Sequence, residues 1–564
     1  MKKSYLIIAI MMMATIANAM PAKPGLRKLK APDGTTIEAQ LVGDEYHHCM
    51  VSSDGYIVKK VDGDFYQKSN ERYDAAVAAE KREAIRSQRN TGIETKSVNN
   101  TTTNYASKGL VILVSFSDLA FTKTNAQFSQ MLNQQGYSAS GATGSAKDYF
   151  KATSYNKYNP TFDVYGPYTL NRTMSYYGQN DTWTGSDAHA DQMIVDAVAK
   201  LVQAEGSNVL AQYDCDNDGF VDNVFVFYAG YAESYTDIAN QIWPHRWNIF
   251  DDYVTGTLTY GGKTIYDYAC ASELYGGSGS TITGIAPFCH EFSHVLGLPD
   301  LYCTDSYSSG TFATPDEWDI MDGGCYNNDQ RTPPLYSAQE MFYVGWLTPQ
   351  VIDRDGTYNL DTLCNGTGHA YMITSTGKSN LNPTNPSPAT YYLLENRQKK
   401  GWDAYLPGHG MLVWRINYSS SKWYNNTVNN SPRNLGCTII AAGGNQKSGG
   451  YYVSSSSDPF PGTRRITNYS PYTNYSISQI TENQGKISFV ISTNPTGIED
   501  ATDDEPVIIR EKVIGGKVRI DRLKEGMTVT IVDAMGRVLM QEQATGNSME
   551  FDAPEVIYYI TFAK

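Results

Sequence analysis

The stretch Cys289-His-Glu-Phe-Ser-His-Val-Leu-Gly-Leu-Pro-Asp-Leu-Tyr302 constrains this chain more than any other. Histidines four positions apart on an α-helix project from one face, one turn apart, so His290 and His294 can reach a single metal ion. Glu291 follows the first histidine directly, which sets its carboxylate beside an open metal position as a general base and not as a ligand. Phe292 is expected to face the core. Gly297 supplies the backbone freedom to end the helix with φ > 0, and Pro299 discourages its resumption. The chain can then turn back beneath the metal and deliver Asp300 as a third ligand, with Asp305 a competitor if the turn is wider. Downstream, Trp318-Asp-Ile-Met-Asp-Gly-Gly324 predicts a turn that sets Met321 under the ligands. An ordinary solvated helix is the plain alternative for a His-Glu pair, and the length of the pattern argues against it.

The glycine, the third ligand and the methionine turn follow the metzincin layout. The run resembles the active site of the immune inhibitor A family of secreted metallopeptidases, in which Asp stands where most metzincins have a third His. The resemblance extends from about Gly109 to Thr463 through Asp148-Tyr-Phe150, Val164-Tyr-Gly-Pro167, Trp243-Pro-His-Arg-Trp247, Leu394-Glu-Asn-Arg397, Leu406-Pro-Gly-His-Gly-Met411 and Asp458-Pro-Phe-Pro-Gly462. It implies an α+β fold: a metzincin-like zincin catalytic domain with an N-terminal propeptide and C-terminal β-sandwich domains. It also implies Zn2+ on His290, His294 and Asp300, protein or peptide substrates, and Glu291 moving a proton from water to the leaving amine. No Tyr stands two residues after Met321, where Gly323 lies, so Tyr326 is the phenol left for oxyanion help. Two rivals use the same scaffold: a catalytically silent secreted binding protein or adhesin, against which the intact Glu291 argues, and a deacetylase or amidase.

Lys2 and Lys3, the apolar run Leu6 to Ile16 and the small residues Ala17-Asn-Ala19 resemble a secretory signal peptide over residues 1–19. A secreted product, exported through the periplasm by bacterial secretion machinery, is the expectation, and no other stretch is apolar enough to span a bilayer. The formal charge of −14 speaks against nucleic acid as a partner. Eight cysteines in an exported chain make disulfides plausible, with Cys289, Cys303 and Cys325 flanking the metal segment; small buried thiols are the equal alternative.

Residues 20–105 read as a propeptide, with Asp-Gly turns between short alternating runs suggesting hairpins, a charged helix over Ala75 to Arg89 and a polar linker at Asn99 to Asn104. Within it, Asp44-Glu-Tyr-His-His-Cys-Met50 is either a half-buried strand or the donor of a latency ligand through Cys49 or a neighbouring His. Residues 106–349 form the expected catalytic domain, with Gly109 to Phe116 a buried strand, a helix N-cap at Ser145 to Asp148, and a helical period over Ser186 to Gln203. Asp214, Asp216, Asp218 and Asp222, with the carbonyl of Phe220, have the start of an EF-hand pattern and predict Ca2+, although Phe225 stands where that pattern needs a glutamate. His189 and His245 are expected to be structural. Lys263 to Leu274 reads as the edge on which a substrate pairs as an added strand. Residues 350–493 have the short-strand spacing of a β-sandwich. A linker (494–506) leads to residues 507–564, which resemble a type IX secretion sorting domain, although Val556-Ile557 replaces its usual glycine.

Overall fold

Five consecutive apolar residues can be buried on both sides only inside a sheet, and Leu110 to Val114 are all buried in the strand Lys108–Ser115 (β7). The computed structural model describes residues 18–493 apart from 24, 45–46, 63–64, 75–76, 78–105, 182–185, 250–253, 305–312, 366–368, 432–433, 449–450 and 473–474, and then 507–509, 517–521, 523, 525–533, 538–546, 548–552 and 558–563. Around β7 a six-stranded sheet runs in the order β1 (Asn18–Ala19), β10 (His245–Asn248), β13 (Asp267–Ser272), β9 (Val224–Tyr228), β7 and β8 (Thr161–Thr169). Strands β13, β9, β7 and β8 are parallel, and β10 and β1 close one side antiparallel. The edge expected in Lys263 to Leu274 is therefore misplaced: Tyr268 to Cys270 are paired on both sides, with β10 and with β9, and the outer strand is β10, with residues 18–19 added to it. The ribbon β11 (Thr259–Tyr260) and β12 (Lys263–Thr264) pairs separately.

The helix Ala146–Thr153 starts in a capping box, the Ser145 hydroxyl accepting from the Asp148 amide and the Asp148 carboxylate from the Ser145 amide. The helical period expected from Ser186 begins later, at Ala190, and runs to Glu205. Ala188 and His189 donate their amides to Gln179 and Tyr177 instead, and the His189 ring stacks on Tyr176 at 4.5 Å.

The hairpins expected near the N-terminus close into a five-stranded barrel of β2 (Arg27–Lys30), β3 (Thr36–Gly43), β4 (His48–Ser52), β5 (Tyr56–Asp62) and β6 (Phe65–Arg72). Its core is small, and Ala39, Leu41, Met50 and Val58 complete it by packing with Ala22 and with Trp243 of the large sheet's outer segment. The stretch Ala75 to Arg89, Val77 excepted, and the linker Asn99 to Asn104 lie outside the described residues.

Beyond residue 349, five strands (Gln350–Val351, Tyr371–Ile373, Thr390–Arg397, Gly410–Asn417, Cys437–Ile439) form one sheet and four (Gly356–Leu360, Lys486–Thr493, Tyr475–Asn483, Tyr469–Tyr472) another. Alternate residues of the five-stranded sheet face opposite ways. Leu394, Met411 and Val413 share a core with Ile477 and Phe489 of the second sheet, while Leu393, Leu412 and Trp414 pack into the core around β7. The second unit begins at Thr493. It holds two three-stranded sheets, Val507–Ile509 with Lys517–Asp521 and Ser548–Asp552, and Val538–Gln543 with Thr528–Asp533 and Tyr558–Ala563. Among the described residues, no helix is long and apolar enough to cross a membrane.

One buried ion pair ties the barrel to the large sheet's side of the molecule. His48 Nε2 lies 3.0 Å from Glu233 Oε1, Asn180 Nδ2 donates to the same oxygen at 2.9 Å, and the His48 ring packs 4.4 Å from Trp243. Burial disfavours a charged imidazole, yet Glu233, with Asp237 behind it, outweighs burial and holds His48 up at about 9. A pKa raised above the usual ~6.5 means that the pair contributes fully below that value and is lost as pH rises through about 9. The melting temperature of the wild type is therefore expected to fall more steeply between pH ~6.5 and ~9 than that of His48→Gln, with the two running parallel above that; profiles parallel across this window as well would remove this pair from the docking of the barrel.

Candidate metal centre and the cleft beside it

The helix Ala286–Val295 carries Pro287 in its first turn, where a missing N–H costs nothing. Phe288 and Phe292 stack at 5.5 Å and meet Phe162 edge to face, so the apolar side of the helix is held by aromatic packing. The helix ends as the spacing predicts. Gly297 has φ +93°, its amide donates to His294 O at 2.9 Å, and the Leu298 amide reaches back to Ser293 O at 3.1 Å.

That turn also orients the histidines. His290 Nδ1 lies 2.7 Å from Ile320 O and His294 Nδ1 2.7 Å from Leu298 O. A carbonyl only accepts, so in the neutral ring each Nδ1 carries the hydrogen and each Nε2 presents a lone pair. Both Nε2 atoms point at Asp300 Oδ1, at 3.2 and 3.3 Å. All three atoms are buried and have no hydrogen-bond donor. Burial is the leading reason that His294 is lowered, which keeps its ring neutral. Two imidazole lone pairs and a carboxylate oxygen converging in a dry site fit a divalent cation and leave a fourth position open. Ligand atoms of His290, Glu291 and His294 also lie within 4.8 Å of one another, so the Glu291 carboxylate is beside the same point.

The expected methionine turn lies at the back of this group. Met321 is fully buried, Leu301 donates its amide to Met321 O at 2.8 Å, and Ile320 supplies the carbonyl for His290. Sequence reasoning missed Asn426. Its Nδ2 donates to Asp300 Oδ2 at 2.6 Å and its Oδ1 accepts from the Asp300 amide at 2.7 Å, so one side chain grips both the carboxylate and the backbone of Asp300. Asp305 lies outside the described residues.

The cleft beside the metal group holds the N-terminal segment. Asn18 and Ala19 pair with Arg246 and His245 on β10. The Met20 amide then donates to Glu291 Oε1 at 3.0 Å, Met20 O accepts from Trp243 Nε1 at 3.0 Å, and Pro21 O accepts from the Tyr326 hydroxyl at 2.6 Å. The latency donor imagined at Cys49 or its neighbours is elsewhere. Cys49 pairs with Val42 inside the barrel, and both ring nitrogens of His48 are engaged, by Asp44 O and Glu233. The contact with the base comes from the backbone of Met20.

Asp214, Asp216 and Asp218 are brought together, their carboxylate oxygens within 4.8 Å. Asp214 also accepts from the amides of Asp218 and Gly219 and is ion-paired with Lys263. Phe220 donates its amide to Asp218 Oδ1 at 2.9 Å. Asp222, expected in the same set, points elsewhere: Oδ2 accepts from Cys215 at 3.1 Å and from Ala106 at 2.9 Å, and burial pushes its carboxyl up to about 6. The cause is backbone pairing, with Asp222 donating to Tyr213 O and Val221 to Thr264 O, which turns the chain inward before the loop can close. His245 is structural as expected, buried between Trp243 O and the Tyr268 hydroxyl and edge-on to Trp247. No disulfide joins the eight cysteines; Cys270, Cys289, Cys303, Cys325 and Cys437 are buried, and Cys49, Cys215 and Cys364 are half-buried.

Residues 95–344 match the catalytic domain of immune inhibitor A peptidase M6. The chain is 27% identical over 261 residues to the pre-pro-metalloprotease PrtV of Vibrio cholerae, in two strains, the match covering 39% of this chain and 27% of PrtV. It is 27% identical over 266 residues to immune inhibitor A of Bacillus thuringiensis subsp. alesti, covering 42% of this chain and 36% of that protein. The chain thus spans between about a quarter and about a third of the length of these curated relatives.

The grip of Asn426 on Asp300 generates a measurable expectation. Asn426→Ala should weaken zinc affinity by about 10- to 100-fold, read by competition with a chromophoric chelator. Wild-type affinity in the variant would mean that Asp300 is positioned without Asn426.

Proposed function

We propose, for a chain whose residues 95–344 belong to the immune inhibitor A family of M6 metallopeptidases, that it is a secreted zinc endopeptidase cutting protein substrates, held closed by its own N-terminal segment. The observation carrying this reading is the meeting of three donor-less buried ligand atoms, on His290, His294 and Asp300, beside the carboxylate of Glu291. Zinc held there would supply a Lewis acid for the scissile carbonyl and a lowered pKa for the attacking water.

The chain's own groups do the rest. Glu291 accepts the proton of the attacking water and returns it to the leaving amine. The Met20 nitrogen, 3.0 Å from Glu291 Oε1, marks where that amine would stand. The outer strand β10 would align an extended substrate by backbone pairing, in the place that residues 18–19 take until the signal segment 1–19 is cut away. Trp243 Nε1 and the Tyr326 hydroxyl, which hold the carbonyls of Met20 and Pro21, would pass to carbonyls of the substrate. Residues 20–105 act as a propeptide in this reading, because the segment that enters the barrel fills the place of a substrate. The acidic group around Asp214 takes calcium for stability, displacing the ammonium of Lys263. Residues 507–564 serve as a sorting domain for bacterial export across an outer membrane.

Casein digestion by the zinc-loaded protein freed of residues 20–105 tests the reading. Glu291→Ala and chelator treatment should each abolish cleavage, with zinc still bound in the variant. Zinc binding without cleavage by the wild type would identify a silent binding protein. Deleting residues 494–564 should leave the export signal working and trap the protein in the periplasm; unchanged release into the medium would refute the sorting role.

A further inference from the structure

The segment lying in the cleft continues past Pro21, and its next charged side chain has a receptor of its own. Lys23 Nζ lies 4.7 Å from the ring centre of Tyr235 and 5.7 Å from that of Tyr275. The two rings meet edge to face at 5.3 Å. Behind them the Tyr275 hydroxyl donates to Asp329 Oδ1 at 2.5 Å, while Asp329 Oδ2 takes Arg331 at 3.3 Å. Aromatic faces are negative and attract an ammonium or guanidinium group, and donation to a carboxylate pushes further electron density into the Tyr275 ring. Burial and that hydrogen bond push the Tyr275 hydroxyl up to about 12, so it remains a donor at neutral pH.

Other charges face the same place. Burial lowers Lys23, Arg27 lowers it further and Asp329 works the other way. Arg27 belongs to the N-terminal segment and leaves with it; its guanidinium is meanwhile tied to Tyr235 O at 2.6 Å. Arg331 lies 5.6 Å from the Tyr275 ring and is compensated by Asp329. A basic side chain arriving after the segment has gone would therefore meet two tyrosine faces backed by an already balanced ion pair.

The register of this receptor is set by two contacts. Met20 N stands at Glu291, where a leaving amine takes its proton, so Met20 holds the place of the first residue after the cut and Lys23 that of the fourth. The receptor is continuous with the groove, since Tyr235 packs at 5.6 Å on Tyr326, whose hydroxyl holds Pro21 O. We propose that Tyr235 and Tyr275 form a specificity subsite for a lysine or arginine side chain at the fourth residue beyond the scissile bond of a polypeptide substrate. This rests on the peptidase reading and on substrates following the path of residues 18–23.

Two fluorogenic peptides that differ only in Lys or Ala at that fourth position test it on the zinc-loaded, propeptide-free enzyme, with casein digestion and a thermal melt alongside. The Lys peptide should have a kcat/KM about fivefold higher, carried by KM. Tyr275→Phe, which loses the donation to Asp329, should keep part of this preference, and Tyr235→Leu together with Tyr275→Leu should bring the ratio to about one. Equal cleavage of both peptides by wild type, with casein still digested, would overturn the subsite and leave the peptidase reading standing. Failure to cut peptides or casein would bring down that reading, and the subsite with it.

Discussion

The structure depends on a meeting of like with like. Two imidazole lone pairs and a carboxylate oxygen face each other across little more than 3 Å, in a place no water reaches, with no donor among them. An ionised carboxylate in such surroundings is strongly disfavoured unless a cation shares the space. The hydrogens that could relieve the conflict have been committed elsewhere, to the carbonyls of Ile320 and Leu298. Those two carbonyls come from different segments, the methionine turn and the bend after the helix. Leu301 closes the circuit by donating to Met321 O. Positioning of these three side chains is thus a property of the whole bent segment, while a cation held among them would supply the energy that makes their proximity tolerable.

The same economy governs the cleft. An outer strand carries unpaired backbone groups that invite an added strand, and in the full chain residues 18–19, the end of the proposed signal segment, take that place. Trp243 serves both sides of this arrangement. Its indole nitrogen holds Met20 O, and its ring fills a gap in a barrel whose own core is too small to be self-sufficient. Loss of the barrel would uncover that ring, remove the acceptors from Trp243 and Tyr326, and break the contact between Met20 and Glu291. Occupation of the cleft and stability of the barrel are therefore the same set of contacts viewed from two sides.

What could be read from the chain follows from how local the cause is. His290, Glu291, His294 and Gly297 fall within two turns of helix, so periodicity and a single φ > 0 position determine their arrangement. The buried run at β7 and the capping box at Ser145 are local in the same sense. Asn426 was invisible because it sits in a polar run of Asn and Thr residues and reaches Asp300 only through tertiary folding. The Met20 contacts use backbone atoms, which leave no signature in residue identity. The edge strand was misassigned because alternation tells which residues face a core and says nothing about which neighbour a strand has. Asp222 shows the limit of a spacing match: the carboxylate is at the right interval, but pairing of Val221 and Asp222 with Thr264 and Tyr213 turns it away.

Asn426 also bears on where the catalytic region stops. The match to the peptidase family ends at residue 344, and the strand spacing after it suggested an independent domain. Yet Leu393, Leu412 and Trp414 are buried in the core that surrounds β7, and Asn426, which clamps Asp300, follows the strand Gly410–Asn417. A carboxylate whose second oxygen and backbone amide are both held by one asparagine cannot be properly oriented by residues 95–344 alone. The five-stranded sheet is better regarded as part of the proposed metal site, in the way that outer-shell groups are part of any ligand set, than as a support placed beneath it.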